Sequence, residues 1–352
     1  MEGKETDAGF IEPLREAKAT LPLVSVIIPT YNNEATLGEA IASAQRQTLS
    51  NIEIVVVDDG STDDTPNIIR NLAAQDSRIK SIRLAKNSGV SHGRNTAIKH
   101  ASGEWIAVLD ADDIFEPPRL EKMVVTAKKI DADVLCDNLK MRDFGSFEIV
   151  AVTKWHEGGH ITALTPRKLF HPGFPIGQIP IGWAKPLIKA SFLEKNRLSY
   201  DERISLGEDY LFLAEIFLDH GRVFFMPEAH YIYLRRVSRF GKVSSGFFSL
   251  RGWDDLIKLC NVLLEKYAEK LSNDNRRQIL KRRKIVTDWI QYMKFRNFLR
   301  EKKVAAAVAL FFRTPVISIY LIFAVVRKVR IISEYIIDAA MRKIRRMIAG
   351  CC

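Results

Sequence analysis

Gly103-Glu-Trp-Ile-Ala-Val-Leu-Asp-Ala-Asp-Asp-Ile-Phe-Glu-Pro-Pro-Arg119 decides how the rest of the chain is read. Trp105 to Leu109 is a short apolar run after a glycine, the pattern of a strand buried on both faces. Three carboxylates, Asp110, Asp112 and Asp113, crowd its carboxyl end. In an open α/β sheet that end is where ligands bind. Carboxylates this close repel one another, so a positive group belongs among them. A hard divalent cation, held by one or two carboxylates and completed by substrate phosphates, meets that need. The same residues also fit an acidic strand-to-helix turn with Asp113 capping the next segment. This stretch alone leaves both open.

Upstream, strand and helix patterns alternate. Leu23 to Pro29 reads as a strand stopped by proline, and Asn33 can cap a helix with Leu37, Ile41 and Ala44 on one face. Glu53 to Asp58 is a second buried strand, followed by a polar turn to Asp64. Ile68, Ile69 and Leu72 mark a helix, Ile79 to Leu84 a strand, and Gly89 to Ala101 a loop and helix leading into the central strand. Leu120 to Ile130 and Asp133 to Asp137 continue the alternation, which predicts a mostly parallel, doubly wound sheet. No Gly-rich dinucleotide or Walker-type loop follows the first strand, so neither a dinucleotide enzyme nor a P-loop NTPase is favoured. Acidic residues end the second and fourth strands instead. That suits a nucleotide whose base and ribose are read by carboxylates.

Four segments carry a resemblance: Val24-Ser-Val-Ile-Ile-Pro-Thr-Tyr-Asn32, Val55-Val-Val-Asp-Asp-Gly-Ser-Thr-Asp63, Asn87-Ser-Gly-Val-Ser-His-Gly-Arg-Asn95 and Leu109-Asp-Ala-Asp-Asp113. In this order they resemble glycosyltransferase family 2, inverting enzymes of the GT-A fold, over roughly residues 22–240. The resemblance implies a nucleotide-diphosphate sugar donor and Mg²⁺ or Mn²⁺. It puts Pro29, Thr30, Tyr31 and Asp59 at the base, Arg94 near the nucleotide, Asp110 and Ala111 near the ribose and sugar, and Asp112 with Asp113 on the metal. The family's Gln-x-x-Arg-Trp of processive members is absent, which implies one sugar added per encounter.

Farther along, His156-Glu-Gly-Gly-His160 matches H-E-x-x-H, but adjacent glycines disfavour the helix that zinc binding needs. Gly173 to Gly182 has too many breakers for a regular element and reads as a loop, with Trp183 beyond it able to stack on a sugar or fill a core. Gly207-Glu208-Asp209 opens an apolar run, so both carboxylates fall at a helix N-terminus, where the dipole alone accounts for them. The resemblance instead implies Asp209 as base, with Glu208 beside it. Inverting transfer needs a base, because the acceptor hydroxyl loses a proton as it attacks.

Charge divides the chain. Residues 1–240 hold 29 Lys and Arg against 33 Asp and Glu, a net of −4, whereas residues 241–352 hold 24 against 9, a net of +15. Residues 1–22 are read as a flexible leader, 23–137 as the nucleotide-sugar half, 138–250 as the acceptor and catalytic-base half, and 251–352 as a basic, amphipathic, membrane-associating helical extension. In that extension Ile279, Val286, Trp289, Ile290 and Met293 form a stripe opposite Arg277, Lys281, Lys284 and Asp288, a pattern suited to an anionic membrane surface. Val304 to Val326 is the most apolar stretch, but Arg313 and Pro315 cut it into pieces shorter than a normal span, so it is read as in-plane or re-entrant. Four cysteines without metal-like spacing indicate a reducing compartment.

The expected function is transfer from a UDP-hexose such as UDP-glucose to a saccharide or lipid-linked saccharide acceptor, at the cytoplasmic side of an inner membrane. The motifs most resemble bacterial exopolysaccharide-assembly members. A nucleic-acid-binding protein is the competing class, since the basic segment attracts any polyanion, but it lacks a recognition motif and leaves the aspartate-ended strands unexplained. A sugar-nucleotide-binding subunit without turnover is the third.

Overall fold

A computed structural model describes residues 21–153, 155, 159–171, 181–235 and 250–321. His156, the loop at 173–180, the basic residues Arg236, Arg239 and Lys242, and the tail from 322 on, with Cys351 and Cys352, lie outside the described residues.

Strands β1 (Val24–Thr30), β2 (Ile52–Asp58), β3 (Ile79–Arg83) and β4 (Trp105–Val108) pair in parallel in the order β3-β2-β1-β4. Helices α1 (Leu37–Gln45), α2 (Thr65–Gln75) and α3 (Val90–His100) connect them. Strands β1, β2 and β4 are mostly apolar because both sheet faces are covered there, whereas β3, at the edge, is largely polar and exposed. Val24, Val26 and Ile28 face one core with Trp105 and Ala107; Ile27 faces the other with Val55, Val57, Ile106 and Val108. Leu37, Ile41 and Ala44 of α1 are fully buried on the first face, and the helix is entered through Thr36 rather than capped by Asn33.

After β4 come β5 (Ile114–Phe115), α4 (Arg119–Lys129), β6 (Val134–Asp143), β7 (Ile149–Val152), β8 (Thr162–Ala163) and α5 (Pro166–Phe170). A single 3-10 turn at Ile181–Trp183 precedes β9 (Leu187–Lys189), α6 (Ala190–Asn196), α7 (Glu208–Leu218) and β10 (Val223–Arg235). Beyond β4 the α/β sheet becomes mixed. β9 lies antiparallel between β4 and β6, β6 pairs in parallel with β10, and β5 closes the far edge antiparallel to β10. The strand order turns back between β1 and β4, which opens a crevice at their carboxyl ends.

Helices α8 (Leu250–Lys266), α9 (Asn273–Arg300) and α10 (Val304–Arg313) follow. Leu259, Cys260, Leu263 and Leu264 of α8, Tyr267 just after it and Ile279 of α9 share one core with α7. The charge change near residue 240 is therefore not an edge of that core. Arg282 of α9 lies over the Tyr210 ring of α7 at 3.9 Å.

The α9 stripe requires a correction. Its apolar residues face protein: Val286 and Ile290 pack with Trp253 of α8, and Trp289 sits against the rings of Trp253, Tyr292 and Tyr320 at 5.2–5.8 Å. Amphipathic spacing identifies a face to be covered, not what covers it. Arg277, Lys281 and Lys284 remain exposed. Among the described residues no helix is long and apolar enough to cross a membrane; α10 stops at Arg313, before Pro315.

Candidate active site

The floor of the crevice is the turn after β4. Asp110 reaches into it, and Ala111 is buried. Asp112 is half-buried at the same strand end. Asp113 turns the other way. It is fully buried, with Tyr231 Oη donating to its Oδ2 at 2.6 Å and the Leu234 amide to its Oδ1 at 2.9 Å. Burial, then the charges of Asp112 and Asp110, push its carboxyl well above the usual range. The expected pairing of Asp113 with Asp112 on a metal thus meets an Asp113 committed to fastening β10 to the turn. Alternating side-chain direction along the turn sends one aspartate outward and the next inward.

On the donor side, Pro29 and Thr30 are buried at the end of β1, while Tyr31 is 42% exposed. Asp59 is buried too. Its Oδ1 accepts from the Ser88 amide at 2.8 Å and its Oδ2 from the Gly89 amide at 2.7 Å, so it holds the loop that enters α3.

α3 carries Arg94, and that side chain joins the two sides. It is 2% exposed. Nη2 donates to Asp110 Oδ1 at 2.8 Å, Nη1 donates to Glu208 Oε1 at 2.9 Å, and Nη1 lies 2.8 Å from Asp209 Oδ1. Arg94 was expected near the nucleotide; its guanidinium lies between the β4 turn and the first turn of α7. The run from Glu208 does form a helix, and Gly207 precedes it at φ +86°, backed by Leu256 and Leu259 of α8. Neither acidic side chain caps that helix. Both point at Arg94, so dipole stabilisation does not exhaust their role.

Lys185 was not expected. It lies in the apolar run Trp183 to Ile188 and is buried, with Nζ 2.6 Å from Asp110 Oδ2 and 2.6 Å from Asp209 Oδ2. A lysine inside an otherwise apolar stretch is the available signal, because unpaired lysines are almost never buried. Burial opposes its charge, but Asp110 and Asp209 outweigh burial and hold the ammonium above its usual range. For Asp110, burial is outweighed by Lys185 and Arg94, which keep its carboxyl below the usual range. Glu208 shifts the other way: burial, then Asp209, raises it. Beside this cluster Trp183 and Tyr233 form a tilted ring pair at 5.3 Å. His160, the described histidine of the H-E-x-x-H match, is exposed in a bend.

The family model of glycosyl transferase family 2 matches residues 25–189. Among curated proteins, the succinoglycan biosynthesis protein ExoO of Rhizobium meliloti is 33% identical over 256 residues, 70% of each chain. The UDP-Glc:alpha-D-GlcNAc-diphosphoundecaprenol beta-1,3-glucosyltransferase WfgD of Escherichia coli is 39% identical over 128 residues, 36% of this chain and 47% of that one. Among solved structures, S. aureus TarS with UDP-GlcNAc matches at a TM-score of 0.55 and 20% identity, over 82% of this chain and 91% of that one. The mannosyltransferase PcManGT from Pyrobaculum calidifontis, with GDP-Man and Mn²⁺, matches at 0.53 and 19%, over 88% of each chain. At these identities the structures share the fold, here the GT-A arrangement of a mixed sheet between helices. Motif order, fold and the extent of the match to ExoO together make this chain a member of glycosyl transferase family 2.

Proposed function

We propose that the chain is an inverting hexosyltransferase of bacterial polysaccharide assembly. It moves one sugar from a UDP-hexose such as UDP-glucose to a saccharide or lipid-linked saccharide acceptor. One juxtaposition carries the proposal: Asp110, on the β4 turn, and Asp209, on α7, meet around the same two cations. A donor-contacting carboxylate and a proton acceptor are thereby held at one point. The similarity to ExoO, a succinoglycan biosynthesis protein, and to WfgD supports the assembly role, and the glucosyltransferase name of WfgD supports the donor and the lipid-linked acceptor.

In this mechanism Pro29, Thr30, Tyr31 and Asp59 hold the base, and Asp110 and Ala111 the ribose and sugar. Asp112 supplies a hard oxygen ligand for Mg²⁺ or Mn²⁺. Among the described residues no three His, Cys, Asp or Glu side chains gather into a metal cage. One carboxylate plus donor phosphates is a donor set that suits magnesium. Such an ion, when bound, neutralises charge building on the leaving diphosphate. The acceptor hydroxyl gives its proton to Asp209 as its oxygen bonds to the anomeric carbon. The bond from that carbon to the diphosphate breaks, and its electron pair leaves with the nucleoside diphosphate. Glu208 holds Arg94, whose guanidinium lies beside Asp209, and the Trp183–Tyr233 pair offers a flat apolar wall for a sugar ring.

Asp209→Asn tests this. It preserves size and polarity but cannot take a proton, so kcat falls by roughly a hundredfold or more while donor affinity by titration barely moves. A near-normal kcat would return Asp209 to a structural role.

We also place the enzyme on the cytoplasmic face of a membrane, through α10 rather than α9. Val304, Val308 and Phe312 recur every fourth residue and are exposed, Phe312 at 77%, with Lys302, Lys303 and Arg313 alongside. Apolar insertion flanked by basic charge suits an anionic lipid surface. Phe312→Glu should weaken pelleting with anionic vesicles; unchanged pelleting would discard this face.

A further inference from the structure

We infer that Lys185 is a positioning residue for proton transfer: its ammonium bridges Asp209 and Asp110 and so fixes the base against the donor-side carboxylate. The inference rests on Asp209 being the base. Asp209 has two unlike oxygens. Oδ2 accepts from Lys185 Nζ at 2.6 Å. Oδ1 is buried and, among the described residues, has no hydrogen-bond partner; Arg94 Nη1 is 2.8 Å away but not aligned as a donor. A carboxylate held at Oδ2 by an ammonium, with a guanidinium 2.8 Å from Oδ1, cannot swing, so its lone pairs keep one direction. That is the requirement for a base meeting a hydroxyl at hydrogen-bond distance.

Nζ also lies 2.6 Å from Asp110 Oδ2, so one ammonium sets the spacing between the donor-side carboxylate and the base. The charged groups facing Asp209 are Lys185 from the segment before β9, Arg94 from α3, Asp110 from the β4 turn and Glu208 from its own helix; Tyr200 is the neighbouring phenol. Two cations stand among three carboxylates. Arg94 is shared by all three carboxylates, whereas Lys185 touches only Asp110 and Asp209.

Lys185 is itself held. Pro186 follows it and restricts its backbone to extended conformations. Its carbonyl accepts from Arg119 Nη2 at 2.5 Å, and the same guanidinium makes a two-point bridge to Asp137 at 2.8 and 3.0 Å. Arg119 and Asp137 are both fully buried. Such a pair is weak support for stability and better suited to fixing register. Three residues before Lys185, Gly182 touches the first turn of α7 so closely that a Cβ there would come 2.4 Å from Tyr210 Cβ. The lysine's segment is thus fastened at Lys185 by Arg119 and packed against the base's helix at Gly182.

The experiment is a double-mutant cycle on the full chain, with kcat measured at saturating donor and acceptor. Lys185→Met keeps the volume and removes the charge. Alone it should lower kcat roughly a hundredfold, as Asp209→Asn does. Combined, the two should be no worse than Asp209→Asn alone, because both act through one proton acceptor. Wild-type kcat in Lys185→Met, or losses that multiply in the double variant, would overturn the positioning role and leave the base assignment standing. Near-normal kcat in Asp209→Asn would overturn the base assignment first. If Lys185→Met melts far below wild type, Lys185→Gln, which keeps a donor toward Asp209 without the charge, takes its place in the same cycle.

Discussion

The two sides of the cleft hold their carboxylates by different means. On the donor side, Asp110 apart, the partners are mainly backbone amides: Ser61 for Asp58, which Arg83 also approaches at 3.5 Å, Ser88 and Gly89 for Asp59, Glu34 and Thr65 for Asp63. On the acceptor side they are side-chain cations brought from distant parts of the chain, Arg94 to Glu208 across 114 positions and Lys185 to Asp209 across 24. An amide holds a carboxylate without adding charge, and the motif stays local. An ion pair in a buried place depends on the whole fold, and removing one partner strands the other.

The largest effect expected from this difference falls on the donor side, where a charge is met by the donor itself. Asp112→Ala should lower kcat by about a thousandfold or more, since charge on the leaving diphosphate would lose its support. Chelation with EDTA should do the same to the wild type. Added Mn²⁺ should restore the wild type and not the variant; full activity in EDTA would remove the metal from the mechanism. Next comes the acceptor-side network. Arg119→Met leaves Asp137 buried without its partner, and denaturant unfolding should show a loss of about 3–5 kcal/mol. Adding Asp137→Leu should return much of that stability. A small loss from Arg119→Met alone would mean that the acceptor side is not built on paired charge. The smallest effect belongs to the outer rim of the donor side. Arg78, then Gln45, hold the Asp76 carboxyl below its usual range, and the pair is partly exposed. A depressed carboxylate adds stability above its unfolded pKa and loses it as pH falls. Arg78→Ala should therefore cost under about 1 kcal/mol at pH 7, with the gap closing as pH drops below about 4. Urea midpoints at pH 7 and pH 3 check this, and an equal gap at both would exclude the ion pair as its source.

The same contrast explains what could be read from the sequence. Strands β2 and β4 are apolar runs ended by aspartates, β1 is an apolar run ended by Pro29 and Thr30, and α1 shows its buried face at fixed spacing, so local pattern was enough. The placement of Asp110 at a strand end and the helix at Glu208 were legible for that reason, whereas Asp209 as base came only from the family resemblance. Lys185 and Arg119 were not, because a lone cation beside a proline or at a helix start looks like solvated surface until distant carboxylates arrive. Asp113 looked like its neighbour Asp112, and only β10, over a hundred residues later, separates them. The α9 stripe was correctly seen as a covered face and wrongly matched to lipid, since periodicity carries no information about the partner.

Strand β9 has a consequence for how the protein is made. The edge of β4 that faces away from β1 is completed only by Leu187–Lys189, about 80 residues after β4 ends. At roughly 5–20 residues per second, ribosomal synthesis leaves several seconds in which the first four strands can pair while that edge stays open. An unpaired edge is a template for any other strand. A nascent chain halted before Leu187 would carry the apolar half of the sheet with one side bare, and its first partner need not be its own.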